Sequence, residues 1–226
     1  LRCAGASEKR SVHTMKNDVI FRAFITNLGI YNEGRLVGEW VDFPIQHDGL
    51  TLQESIEKIL CRIGVDGKQY EEYFITDYDS EIAGLTENFG EYENLFLLQA
   101  LACKICLQYC DQYSYKSMLE SMLEYGEYTG SVLELINLVS NTENFYFLPD
   151  VASDYDLGYE YAENSGIFTE VYAQMGTLRN YIDYEGYGRD IRLTEGGIHT
   201  KNGYISLTDK IVTYYDSTED IFELYE

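Results

Sequence analysis

The chain has 226 residues, enough for one large domain or several small ones, and carries 39 Asp+Glu against 16 Lys+Arg, a formal net charge of -23. That balance argues against direct nucleic-acid binding and against docking on an anionic membrane, since both rest on Lys and Arg meeting phosphate. Hydrophobic residues at 45% and aromatics at 15%, with 22 Tyr and 10 Phe, argue equally against a disordered acidic chain.

Residues 1–18 hold Arg2, Lys9, Arg10 and Lys16 with no apolar stretch behind them, and no run approaches the roughly 18 apolar residues of a membrane span. A cytoplasmic location is therefore expected. Met15 reads as a natural start, so residues 1–18 are expected to be an upstream or disordered extension. Residues 19–27 alternate as a strand with Val19, Phe21, Ala23 and Ile25 on one face. The turn-rich LGIYNEG leads into a second strand, RLVGEWVDF, stopped by Pro44. Thr51 and Glu54 form a capping box before Ile56, Ile59, Leu60 and Ile63, with Gly64 at the helix end. The run 70–80 reads as a third strand, making a ββαβ unit over 19–90. From Tyr92 to Ser140 the period becomes helical, through Leu95, Leu98, Ala102 and Ile105, then Met118 and Met122, then Leu133 and Ile136, with Gly126 and Gly130 as dividers. Residues 91–148 are expected to form a helical middle domain. Beyond Pro149 the chain is Tyr-rich, with helices predicted near 157–164 and 176–187 and a tight hairpin turn at Asn202-Gly203. This makes 149–226 a C-terminal α+β domain, and the whole chain α+β, three small domains in a row.

Motifs for chemistry are weak. Cys103, Cys106 and Cys110 fall on one helical stripe, which suits buried thiols better than a tetrahedral metal site. An odd set of five Cys in a chain of this length does not read as a disulfide framework. His13, His47 and His199 sit in no nucleophile motif, and G-x-S-x-G, the P-loop and G-x-G-x-x-G are all missing. The string from Asp77 to Glu81 starts like a calcium loop, but Ile82 stands where the loop needs Gly. The reading is of a protein that is not an enzyme, with no catalytic residue, metal or cofactor.

Charge is distributed more informatively. From Gln69 to Cys103 there are eight acids (Glu71, Glu72, Asp77, Asp79, Glu81, Glu87, Glu91, Glu93) and no Lys or Arg. From Ser117 to Leu178 there are eleven (Glu120, Glu124, Glu127, Glu134, Glu143, Asp150, Asp154, Asp156, Glu160, Glu163, Glu170), again with no basic residue. These carboxylates form either a solvated acidic face or a surface shaped for a basic partner. A dimer would carry twice the net charge, matching roughly 80 Å of B-DNA at about 1.7 Å of axis per charge. Self-repulsion on that scale favours an elongated shape.

Two longer strings are specific. FITNLGIYNEGRLVGEWVDFPI (24–45), followed behind a capped helix by YEEYFITDYD (70–79), resembles the opening of the ArdA antirestriction proteins of conjugative plasmids and transposons. NYIDYEGYGRDIRL (180–193) resembles the region around that family's antirestriction motif, through Tyr181, Ile182, Asp183, Tyr184, Glu185, Tyr187, Arg189 and Asp190. The resemblance implies a DNA mimic: an elongated, curved homodimer whose carboxylates imitate duplex phosphates and occupy the DNA-binding groove of type I restriction-modification enzymes, on the methyltransferase core. On that view the acids of the two basic-free tracts, Glu134 and Glu143 apart, are the candidate partner-binding residues. Neutralising Asp150, Asp154, Asp156, Glu160 and Glu163 together is then expected to abolish inhibition. The motif around Tyr181–Arg189 has a second reading, as a stabiliser of its domain or dimer contact. Residues 207–226 add five acids before Glu226 and lie past the matched strings. The alternative function is an acidic adaptor for another basic DNA-binding or regulatory protein; an acidic hydrolase with an unrecognised carboxylate pair is a third.

Overall fold

The computed structural model describes residues 19–108, 112–163 and 174–222. The expected extension 1–18 lies outside them. The first unit is a three-stranded antiparallel sheet in the order β2-β1-β3, with β1 at Phe21–Asn27, β2 at Gly38–Phe43 and β3 at Tyr73–Asp79. Phe21, Ala23 and Ile25 alternate into the core as their spacing demands, while Val19 lies before the strand and is exposed. The turn-rich stretch after β1 is a short helix, α1 (Leu28–Asn32), because Asn27 Oδ1 accepts the Ile30 N–H at 2.9 Å and caps it. Helix α2 (Leu52–Arg62) starts on the reciprocal Thr51–Glu54 capping box read from the sequence.

Three helices follow: α3 (Leu95–Gln108), α4 (Gln112–Tyr125) and α5 (Val132–Val139). Helix α3 buries residues all round, including Leu95, Leu98, Leu101 and Ile105. Its Gln99 is 1% exposed, and its Oε1 accepts the Ile45 N–H at 2.6 Å, fastening the loop after β2 to the helix. One continuous apolar core runs from Phe21 and Ile25 through these helices to Phe145, Ile205 and Ile221.

A second antiparallel sheet has the order β4-β6-β5, with β4 at Phe145–Pro149, β5 at Ile198–Thr200 and β6 at Gly203–Leu207. Strand β4 spans the predicted boundary at 148/149; its Pro149 ends an edge strand, where no ladder N–H is needed. Phe145 and Ile205 face the α3–α5 side, while Tyr204 belongs to a smaller cluster with Val151 and Leu157. That second face is covered by α6 (Asp154–Glu163) and α7 (Tyr184–Glu195). The helix predicted at 176–187 is instead a 3-10 helix over Gly176–Tyr181 and then α7, because Asp183 accepts the Gly186 N–H and restarts the helix. The hairpin turn also shifts by one residue. Thr200 pairs with Gly203, so Lys201 and Asn202 make the turn, neither with positive φ. Gly203 is required for another reason: a Cβ there would lie 2.1 Å from the Leu148 carbonyl oxygen of β4.

After β6 the chain returns to the middle helices, where α8 (Thr218–Phe222) sets Phe222 edge-on to Phe96 at 5.1 Å. The fold is thus a mixed α+β architecture of several helices and two small sheets.

Candidate functional site

The first basic-free tract lies on the outer edge of the N-terminal sheet. Glu71 and Glu72 are exposed just before β3, Asp77 and Asp79 are exposed on it, and Glu81, Glu87 and Glu91 are exposed in the turns beyond. None of these seven carboxylates makes an ion pair among the described residues. Arg22 lies opposite Asp79 in register, yet its guanidinium turns to Asp42 on the other flank at 3.3 Å. Glu93 differs from its neighbours: it is half-buried and accepts the Gly90 N–H at 3.0 Å.

In the second tract the acids divide into two kinds. Glu124 and Glu127, at the end of α4, and Asp150, at the end of β4, are exposed. Glu120, one turn before Glu124, is drawn inward, its side chain 9% exposed, accepting Ala83 N–H at 3.0 Å and Asn202 Nδ2 at 2.9 Å beside Lys201. Burial opposes its charge, but the Ala83 and Asn202 hydrogen bonds and Lys201 outweigh it and hold the carboxyl below its usual range. Asp154 joins three elements: Arg192 Nε donates to its Oδ1 at 2.7 Å, and His199 Nε2 lies 2.8 Å from the same oxygen. Arg192 above all, against partial desolvation and with help from His199, holds its carboxyl down at about 2. Asp156 accepts from Ser153 Oγ at 2.6 Å, and Glu163 from Tyr184 Oη at 3.0 Å. Glu160 is half-buried, and Glu170 lies outside the described residues. The run Asp150 to Glu163 is therefore not a uniform surface stripe, and neutralising it would test the fold as much as the surface.

The motif region is divided in the same way. Gly188 on α7 meets Gly158 on α6 backbone to backbone: a Cβ on Gly188 would lie 1.8 Å from the Asp154 carbonyl oxygen, and one on Gly158 would lie 1.9 Å from that of Tyr184. Tyr184 is buried, with Tyr155 and Tyr159 packed edge-on to it at 5.6 and 5.4 Å. Asp183 caps the helix. Tyr181 (84% exposed), Glu185, Arg189 and Asp190 face solvent, with Tyr187 half-buried. Gly158, Arg192 and Glu195 carry no signal of a role in the sequence, since each is defined by a partner on another element.

Cys106 is buried on α3 and Cys103 half-buried, while Cys110 lies outside the described residues. Among the described residues no group of His, Cys, Asp or Glu is arranged to hold a metal ion, and no helix is long and apolar enough to cross a membrane.

Fold and surface together define an acidic α+β protein whose distinguishing feature is a set of outward carboxylates without cationic partners among the described residues. The family model of the antirestriction protein ArdA matches residues 23–206, and the chain belongs to that family. No curated protein matches the chain.

Proposed function

We propose that this protein is an antirestriction inhibitor that mimics DNA, presenting carboxylates in place of phosphates and occupying the DNA-binding groove of a type I restriction-modification enzyme on its methyltransferase core. The observation that carries this reading is the exposed set Glu71, Glu72, Asp77, Asp79, Glu81, Glu87 and Glu91, none ion-paired among the described residues. A groove lined by Lys and Arg offers such carboxylates what their own chain withholds. Glu124, Glu127 and Asp150 extend the surface, whereas Glu93, Glu120, Asp154, Asp156 and Glu163 support it from within. In this reading the three units, 19–90, 91–148 and 149–226, lie in a row in an elongated homodimer. The site of action is the cytoplasm of a bacterial host carrying a mobile element, and no cofactor or direct nucleic-acid contact is involved.

The test is a variant with all seven acids of the first set changed to their amides, assayed against a purified type I enzyme cleaving a plasmid. Single changes are expected to alter inhibition little, because long-range charge is shared. The sevenfold variant, with thermal unfolding checked to be intact, is expected to lose inhibition; full inhibition by it would overturn the reading.

A further inference from the structure

A cleft of about 420 Å3 between the second sheet and the last turn of α7 is walled by Tyr146, Tyr161, Thr194, Glu195, Ser206 and Thr208. Glu195, the last residue of α7, is half-buried there. Its Oε1 accepts Tyr161 Oη at 2.6 Å, and its Oε2 accepts Tyr204 Oη at 2.8 Å and Ser206 Oγ at 3.3 Å. All three donors are neutral hydroxyls. Asp154 and Glu120, also held inward, each have a cation, but among the described residues no Lys, Arg or His reaches ion-pair distance of Glu195. The hydroxyls fix the carboxylate without compensating its charge, and Oε1 keeps a lone pair.

Tyr146 supplies the second element. It stands opposite Ser206 across β4 and β6, is 39% exposed, and is perpendicular to Tyr161 at 6.3 Å. Burial first, then the negative charges of Glu160 and Glu195, push its phenol upward. An aromatic face beside a fixed carboxylate attracts a cation. A planar cation that is weakly hydrated, stacks on a ring and presents forked N–H donors fits this pair better than a compact ammonium.

We propose that this cleft binds a guanidinium group, with the Tyr146 ring stacked on it and Glu195 accepting its N–H groups. Its occupant is an arginine side chain of the basic partner; that source, though not the site, rests on the function proposed above.

The site is tested by titrating the isotopically labelled 226-residue protein with arginine amide, lysine amide and citrulline amide, whose ureido side chain is the uncharged isostere of the guanidinium, following backbone amide shifts. Saturable shifts confined to residues around 146, 161, 194–195 and 206–208 are expected with arginine amide, with weaker ones from lysine amide and none from citrulline amide. Tyr146→Leu and Glu195→Gln should each weaken binding about tenfold. Glu195→Gln alters a residue that holds three hydroxyls, so Tyr146→Leu, on a partly exposed ring, keeps the test decisive if the first fails to fold. Shifts spread over the acidic surface without saturation, equal binding of citrulline amide, or unchanged affinity in Tyr146→Leu would overturn the site. Inhibition of the type I enzyme by Tyr146→Leu separates the two claims. A loss of about tenfold supports the partner's arginine as occupant. Unchanged inhibition with arginine amide binding lost overturns that source and leaves the DNA-mimic reading standing. Arginine amide binding by a protein that inhibits no type I enzyme leaves the site standing and overturns the reading.

Discussion

Asn137 and Asn141, both buried on or just after α5, hold the returning C-terminal stretch by its backbone. Asn137 donates to Tyr215 O at 2.9 Å and accepts the Tyr214 N–H at 2.8 Å, and Asn141 both donates to and accepts from the Val212 backbone at 2.8 Å. Asn141→Ala would leave the Val212 N–H and C=O without these partners, and is expected to cost about 3 kcal/mol in urea unfolding. Asp154 gives a pH signature. Its folded carboxyl is held at about 2, below the ordinary unfolded value near 4, so its stabilisation is complete above that unfolded value and disappears as pH falls toward the folded one. Asp154→Asn should therefore lower stability at neutral pH and flatten the stability curve between about pH 4 and 2, read by thermal unfolding across pH. These roles were not legible in the sequence. Glu120 and Glu124 lie one helical turn apart in the same basic-free tract, yet Lys201 and Asn202, some eighty residues on, draw one inward and leave the other in solvent. A linear pattern gives the density of charge, while partners distant in sequence decide which charges face outward.

The α6–α7 pair rests on two glycines whose backbones touch. Gly188→Ala places its Cβ 1.8 Å from the Asp154 carbonyl oxygen, a backbone atom unable to yield, and would part the helices at the motif. A loss of about 3 kcal/mol is expected in urea unfolding, with inhibition falling in step with the folded fraction; an unaffected midpoint would refute the close contact. Elements governed by neighbours in the chain were the legible ones. The Thr51–Glu54 capping box starts α2 where the sequence places it, and the alternation of Phe21, Ala23 and Ile25 gives β1. In the C-terminal half, elements that depend on distant pairing were shifted or missed. Strand β4 exists because β6 pairs with it from some sixty residues away, and the hairpin turn falls on Lys201-Asn202 because Gly203 must lie under β4. The stretch LGIYNEG reads as a turn and not as the short helix α1, because its cap, Asn27, is also the last residue of β1.

Across the whole molecule, a formal charge of -23 acts on folding and on binding with opposite sense. Carboxylates that repel one another in the free protein are the groups that a basic groove would satisfy, so salt should raise the melting temperature while weakening partner binding. The family assignment rests on 184 contiguous positions, residues 23–206, spanning both sheets and the motif helix. The most direct test of DNA mimicry is a competition titration: a labelled duplex containing a type I recognition site, the purified methyltransferase core, and increasing amounts of this protein at two salt concentrations. Stoichiometric displacement of the duplex, less effective at the higher salt, is the predicted result. A duplex that stays bound at large excess of the protein would contradict it.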